Sequence, residues 1–506
     1  MNRQVAVAPE SSQRWPGSWQ LLEFWAVGSY TPLSVWVVSS EGASLSTAIL
    51  FGLAVAMFGI GIVLVLTRLG LRMVSSTNAV AAVLLMMSIS GSLIERFPMG
   101  RITLVAMAIV VALILYRLSG MAAVSFIVTW IVFALLVLPW VGLIGTKVGD
   151  RELTLEVSGA SYPIQSRGDV VVVVFDAYAG SSTLSSEFGF DNSSISDTLR
   201  ELGFTVFDDI PVNYSHTTIS VPSFLQLEYV AEEGRLTDAD IDALQEMMGG
   251  SNVVARSLRD SGYQAIYVES GWLGTKCTAD VDVCVEGPWP GETFFDIIHR
   301  TIFRDAPGVE TGVLFSRGAA NAVSWSRDEL PGILANEDLE YVYIHLLLPH
   351  PPFFFDTECD RDPDPSLSGF TLSWPGMGPQ HLKARKQAYV AQVQCANRVM
   401  SDLAALAVET GSTLVMIGDH GPDSQNQLFL DAAGWTQPLI SERMRTFAAV
   451  YSPGCELVLA TSLVTLGPAV LSCLGADAPV EAANRLFIVE RPDDSVNLVE
   501  ILPLGS

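Results

Sequence analysis

Basic side chains are scarce in this chain: 28 Lys and Arg stand against 54 Asp and Glu among 506 residues, a formal net charge of −26. The shortage is uneven. Up to Asp150 there are eight basic and five acidic residues, a net of +3, whereas the remainder holds 20 basic and 49 acidic ones, a net of −29. A domain so acidic is a poor candidate for gripping a phosphate backbone, which argues against nucleic acid as a partner. Its acidity reads instead as a solvated, self-repelling surface. Cysteine is absent before Cys277, and no Cys-x-x-Cys spacing of the zinc-binding kind occurs. The six cysteines present are Cys277, Cys284, Cys359, Cys395, Cys455 and Cys473. Their even number, confined to the acidic part, fits disulfides in an oxidising compartment. Cys277 and Cys284 flank a short polar loop and are the pair expected to be bonded. The other four are either paired or buried thiols. A cleavable signal is also missing, since 1–20 is polar and no small-residue cleavage pattern follows the first apolar run.

What the chain has in abundance is apolar surface, concentrated between 21 and 145. A hydrocarbon core about 30 Å thick takes roughly 20 apolar residues in helical form. Residues 45–67, 102–118 and 121–145 meet that requirement, and 78–94 is shorter but carries no charge before Glu95. The weakest segment is 21–38, which contains Glu23 and Pro32. Trp19, Trp25, Tyr30 and Trp36 suit a membrane interface, so it counts as a span and five are expected. Arg3, Arg14, Arg68, Arg72 and Arg117 then fall on one side, with Arg96 and Arg101 on the other. The positive-inside rule puts the N-terminus in the cytoplasm and everything after 145 outside it. Were the first segment only interfacial, four spans would return the large domain to the cytoplasm. The expected organisation is an all-α transmembrane domain at 1–150 followed by an extracytoplasmic domain at 151–506.

That second part reads as an ordinary soluble domain. Residues 169–175 (DVVVVVF) form a continuous β-branched run, as in a central strand covered on both faces. Further strands are expected at 264–268, 341–348, 413–417 and 446–451, with helical patterns at 194–202, 252–261 and about 383–409. This alternation argues for an α/β fold, a mostly parallel sheet flanked by helices. Ligands in such sheets sit at the carboxyl ends of the strands, so the residues following each strand are the ones that matter.

Asp176 directly follows the first strand, and Asp419 and His420 follow the strand at 413–417 in MIGDHGPDS. His345 lies within YVYIHLLLPHPPFFFD, with His350 just past the strand. Asp and His are ligands suited to divalent ions such as Zn or Mn. Each alone has a plain structural reading: a helix cap for an acid, a satisfied core residue for a histidine. Their joint placement at strand ends is what points to a site.

Four stretches, DVVVVVFDAYAG, NYSHTTISVPSFL, HLLLPHPPFFFD and GDHGPDS, resemble in that order the sulfatase-like branch of the alkaline phosphatase superfamily. More narrowly, they resemble bacterial membrane proteins of the sulfatase-like hydrolase or transferase kind. The resemblance covers about 169–454. The anchor is similar, in architecture only, to that of lipoteichoic acid synthases and phosphoethanolamine transferases. The resemblance implies an alkaline-phosphatase/sulfatase-like fold and one divalent metal ion, with Mn, Zn, Mg and Ca not distinguished. By position, Asp176 matches the acidic metal ligand after the first strand, where the transferases often have Glu. Asp419 and His420 match the adjacent ligand pair. Thr217, first in T-T-I-S-V-P, matches the nucleophile of a T-x-x-S-x-P segment and would itself touch the ion. His345 and His350 match two histidines five apart that lie near the substrate or a second metal; His350 would stabilise the transferred oxygens or protonate the leaving alkoxide. The implied activity is phosphotransfer or phosphodiester hydrolysis on a cell-envelope lipid or glycopolymer, by a multi-pass membrane protein in contact with membrane lipid. Oligomeric state has no signature.

Some alternatives stay open at this level. Thr218 is the nucleophile if the register slips by one. Ser220-Val-Pro-Ser223 superficially fits the segment that sulfatases mature to formylglycine, but Phe224 stands where the arginine belongs, which weakens a sulfoester hydrolase. A catalytically silent envelope binding protein is the reading from a different class. Pro422 and Asp423 follow Asp-His-Gly where the transferases have Glu and a later histidine, and His381 is the one histidine between His350 and His420. These departures count against a two-metal site and against phosphoethanolamine as the transferred group. His216, Asn213 and Tyr214 read as shaping the turn before Thr217. The segment 227–338, with Trp272, Trp289 and Trp325, is expected to build much of the substrate-facing surface.

Overall fold

A computed structural model of the chain describes residues 45–71, most of 155–501 and a few isolated positions between them; 288–310, 361–371 and some shorter stretches lie outside the described residues. By its internal contacts the chain divides into two units. One comprises Met1–Ser39, Ala43–Gly149 and Asp296–Ala306; the other comprises Ser40–Gly42, Asp150–Phe295 and Pro307–Ser506. In the first, α1 (Leu45–Arg68) is a helix of 24 residues with no charge before Arg68. Taken over the described side chains, no helix is long and apolar enough to cross a membrane. The spans expected at 21–38, 78–94, 102–118 and 121–145 lie outside the described residues, isolated positions apart.

The second unit is built on seven strands: β1 (Val170–Phe175), β2 (Thr205–Pro211), β4 (Gln264–Val268), β5 (Val283–Val285), β6 (Glu340–Leu346), β7 (Thr413–Gly418) and β8 (Arg445–Tyr451). Their order across the sheet is β2-β8-β7-β1-β6-β4-β5. β1 runs parallel to β6 and β7, and β4 runs parallel to β5 and β6, as the alternating pattern predicts. β8 is antiparallel to β7 and to the edge strand β2. A separate antiparallel sheet joins β3 (Gly234–Leu236), β10 (Val496–Ile501) and β9 (Leu486–Glu490), in that order. The sequence reading did not include it, nor β2 and β5.

Among the described residues of this unit the helices of eight or more residues are, in chain order, α2 (Ser181–Phe188), α3 (Ser193–Glu201), α4 (Thr217–Gln226), α5 (Asp238–Met248), α6 (Val253–Asp260), α7 (Thr311–Asp328), α8 (Pro379–Thr410), α9 (Gln437–Met444) and α10 (Leu463–Cys473). Side chains alternate across a strand, so β1 feeds two cores. Val171, Val173 and Phe175 face the layer of α2, α3, α7 and α8. Val170, Val172 and Val174 face α4, α6, α9 and α10. Every residue of β1, β6 and β7 is buried, and β1 accordingly reads as an unbroken apolar run. α8 starts with Pro379 after Gly378 and stops at Gly411, whose φ of 72° suits glycine. Trp325 packs at the margin of the first core, while Trp272 and Trp289 lie outside the described residues.

All six cysteines are paired: Cys277–Cys284, Cys359–Cys395 and Cys455–Cys473. Cys359–Cys395 ties the segment after β6 to α8 across 36 residues. Removing it as the Cys359→Ala/Cys395→Ala pair is expected to cost about 3–4 kcal/mol by loop-closure entropy, read as a lower denaturant midpoint. An unchanged midpoint would mean that packing alone holds this segment.

Candidate active site and metal centre

The register of the central strands creates the site. β1 and β7 are aligned so that Phe175 sits opposite Gly418, and the next residue on each strand is an aspartate. Asp176 and Asp419 therefore leave neighbouring parallel strands side by side, at the end where helix dipoles and loops converge. Each is buried and each uses one carboxylate oxygen for structure. Asp419 Oδ1 accepts from the backbone N–H groups of Ala177 and His420, both at 2.9 Å. Ala177 aims its N–H there by adopting φ 61°, a left-handed conformation uncommon for alanine. Asp176 Oδ2 takes the His345 Nε2 at 3.3 Å. The second oxygens, Asp176 Oδ1 and Asp419 Oδ2, are buried and have no hydrogen-bond partner among the described residues.

Two further atoms point at those oxygens. His420 Nε2 lies 3.7 Å from Asp176 Oδ1 and 3.5 Å from Asp419 Oδ2. Its Nδ1 is 2.8 Å from the Gly421 carbonyl, an acceptor, so the ring carries its hydrogen at Nδ1 and turns the Nε2 lone pair inward. Thr217 Oγ1 is 3.0 Å from that Nε2. Thr217 opens α4, whose N-cap is His216 through an Nδ1 that accepts from Thr218 N–H at 3.3 Å. Ser220, one helical turn on, donates its hydroxyl to the Asp419 carbonyl at 2.7 Å. The T-x-x-S spacing thus locks the Thr217 turn onto the Asp419 strand end. No hydrogen bond of the Thr218 side chain to this cluster occurs among the described residues.

Burial and the charge of Asp176 push the Asp419 carboxyl up to about 7. Burial acts against ionisation of Asp176 too, but the neighbouring imidazoles of His350 and His345 outweigh it and hold that carboxyl well below the usual range. Burial and the Arg443 cation keep His420 far below its ordinary value, hence neutral. Two adjoining buried carboxylates with unbonded oxygens, beside an inward lone pair, are an environment short of positive charge. The ligand atoms of Asp176, Asp419 and His420 all lie within 4.8 Å of one another, which fits a divalent cation. Glu269, Cys277 and Cys284 cluster as closely, but those cysteines are bonded to each other.

No family model matches the chain, and no curated protein does. Solved structures do. The integral membrane protein lipooligosaccharide phosphoethanolamine transferase A (EptA) from Neisseria meningitidis is 12% identical, with a TM-score of 0.42, over 89% of this chain and 80% of that one. The C-terminal periplasmic domain of EcEptC from Escherichia coli in complex with Zn is 14% identical, with a TM-score of 0.41, over 65% of this chain and 93% of that one. A protein in the alkaline phosphatase superfamily from Vibrio parahaemolyticus is 12% identical, with a TM-score of 0.36, over 70% of this chain and 82% of that one.

The remaining sequence-predicted residues fall at different depths. His345 is fully buried on β6, with Nδ1 3.4 Å from the Tyr343 hydroxyl and Nε2 on Asp176. That placement sets its ring against the Asp176 carboxylate. His350 is half-buried in the turn after β6, contacts the Pro351 carbonyl, and lies near enough to Asp176 to favour its charge. Asn213 and Tyr214 are buried scaffold: Asn213 bridges Tyr229, Arg485 and Val464, and Tyr214 donates to the Ala231 carbonyl at 2.7 Å. Asp423 is buried and accepts from Gln427 N–H, a turn-closing contact.

Several residues that support the site had no sequence signal. The Tyr389 hydroxyl donates to the Ala177 carbonyl at 2.8 Å and accepts from Ala179 N–H at 3.1 Å, fixing the left-handed turn from the far side of the sheet. Gln392 donates to the carbonyls of Pro349 and His350, both at 3.1 Å, and accepts from Phe354 N–H at 2.8 Å and Phe355 N–H at 3.2 Å. It sets the path of the turn that carries His350. Gly421 is required by close approach, because a Cβ there would lie 1.8 Å from the Glu442 carbonyl oxygen. Gly421→Ala is expected to destabilise the protein by about 1–3 kcal/mol, seen in thermal or denaturant unfolding. Parental stability would mean that the loop yields freely.

Proposed function

We propose that the chain is a membrane-anchored, metal-dependent phosphotransferase or phosphodiesterase of the sulfatase-like group, with its catalytic domain (151–506) outside the cytoplasm. Its substrate is a lipid-linked molecule or glycopolymer of the cell envelope, and the anchor (1–150) keeps the enzyme in the bilayer beside it. The observation that carries this reading is the convergence of Asp176 Oδ1, Asp419 Oδ2, His420 Nε2 and Thr217 Oγ1.

Asp176, Asp419 and His420 would hold one divalent ion, and Thr217 Oγ1 lies 3.0 Å from His420 Nε2. The ion supplies the positive charge that brings a threonine hydroxyl toward ionisation at neutral pH and offsets charge on the transferred group. Thr217 Oγ1, its proton passed to solvent water, attacks phosphorus. The bond to the leaving alkoxide breaks, and His350 protonates that alkoxide. Water or an acceptor hydroxyl then attacks the phospho-threonine and frees Thr217. His345 holds the Asp176 carboxylate in place. The N-terminus of α4 adds a favourable field for an anion at Thr217.

Sulfate-ester hydrolysis finds no support at Ser220, whose hydroxyl is engaged by the Asp419 carbonyl. The direct test is elemental analysis of purified protein, then mass spectrometry of the Thr217 peptide after incubation with a bacterial lipid extract. About one divalent ion per chain and a phosphoryl adduct on Thr217 are expected. Protein that folds without any ion and forms no adduct would favour the silent binding protein instead.

A further inference from the structure

We infer that Arg443 is a positioning residue that couples the Thr217 turn to the His420 loop, an assignment that rests on the reading of those two residues given above. Arg443 lies near the end of α9, and its side chain is buried. One arm of its guanidinium, Nε, donates to the Ser215 carbonyl at 2.8 Å, two residues before Thr217. Another, Nη1, donates to the Gly421 carbonyl at 2.7 Å. That same carbonyl receives His420 Nδ1 and so fixes the ring's inward lone pair. The backbone closes the link from the other side, since Gly421 N–H donates to the Arg443 carbonyl at 2.8 Å.

A planar fork is suited to this task. Guanidinium presents several donors in fixed directions, so two carbonyls held by one group are held at a set distance from each other. Ser215 and Gly421 belong to segments more than 200 residues apart, and neither is tied to the other by a strand ladder. Arg443 therefore adds a second tie, beside the Ser220–Asp419 contact, that fixes the separation between nucleophile and ligand. The carboxylates of Asp423, Asp419, Asp176 and Glu442 surround the cation and offset the cost of burying it. The acidic residues of the site thus do double duty, facing an ion on one side and Arg443 on the other.

Arg443→Lys keeps the charge but replaces the fork by a point donor that cannot span both carbonyls; Arg443→Met removes both contacts. Amide hydrogen exchange on wild type and both variants is the deciding measurement. Exchange at 215–220 and 419–424 is expected to accelerate together by about 10-fold or more in Arg443→Lys, while β1 and β7 stay protected. Where Arg443→Met folds, it should show the larger effect. Unchanged exchange in both segments, loosening of only one, or uniform acceleration including β1 and β7 would overturn the assignment. In turnover assays, kcat per ion-loaded molecule should fall by about 100-fold in Arg443→Met with KM little altered, and partly recover in Arg443→Lys. Equal kcat values would also overturn it. A wild-type protein with no metal-dependent turnover would instead refute the proposed function, and the exchange result would still decide the role of Arg443.

Discussion

Thr217→Ala is expected to reduce turnover of a phosphodiester or lipid-linked substrate by about 10³- to 10⁶-fold, the range seen when an enzyme loses its covalent nucleophile. The fold should survive, because the hydroxyl meets His420 and not the α4 backbone. Ion content should be retained, since both carboxylates and His420 remain. Thr217→Ser, which keeps the hydroxyl, should recover much of the rate, and Thr218→Ala should cost far less than Thr217→Ala. Full activity in Thr217→Ala would remove the threonine from the mechanism, and a larger loss in Thr218→Ala would shift the register by one.

The second large effect concerns Asp419→Asn. Asparagine retains an oxygen to accept from Ala177 and His420, so the turn is kept while the charge is lost. Affinity for the ion is expected to drop by at least about 100-fold, with activity following, as measured by calorimetric titration and elemental analysis. Stability should change in the opposite direction. In metal-free wild type the Asp419 carboxyl, raised from its ordinary 3.8 to about 7, contributes stability that is fully present below 3.8 and lost as the pH rises through about 7. Asparagine does not titrate. The metal-free variant should therefore be more stable than metal-free wild type above pH 7, by up to about 4 kcal/mol, and should lack the decline between these values. Identical pH profiles for the two proteins would contradict a strained carboxylate pair. A variant that lost stability at all pH values would point to a purely structural Asp419.

What could be read ahead of the structure follows from where each element sits. β1, β4, β6, β7 and β8 were legible because strands covered on both faces need continuous apolar, largely β-branched runs, and DVVVVVF or TLVMIG allow little else. α3, α6 and α8 were legible from helical spacing. α4 was not. All ten of its residues, TTISVPSFLQ, are buried, so no polar face marks a 3.6-residue period, and Pro222 and the β-branched residues argue against a helix locally. β2 (TVFDDIP) is a half-exposed edge strand with an irregular register, which erases the alternation that would reveal it.

The candidate site divides the same way. Sequence alone determined the identity and order of Asp176, Thr217, His345, His350, Asp419 and His420, and the chemistry of which such side chains are capable, because donor type belongs to the residue. Only the tertiary structure decided how they meet. The alignment of Phe175 with Gly418 brings two aspartates 243 positions apart to one point and leaves one oxygen of each unbonded. His345 turned inward to Asp176 because the pleat of β6 directs it into the covered face. Tyr389, Gln392 and Arg443 were invisible beforehand for a simple reason. They act on backbone carbonyls and N–H groups, which every residue carries, so only proximity in the fold distinguishes the ones that matter.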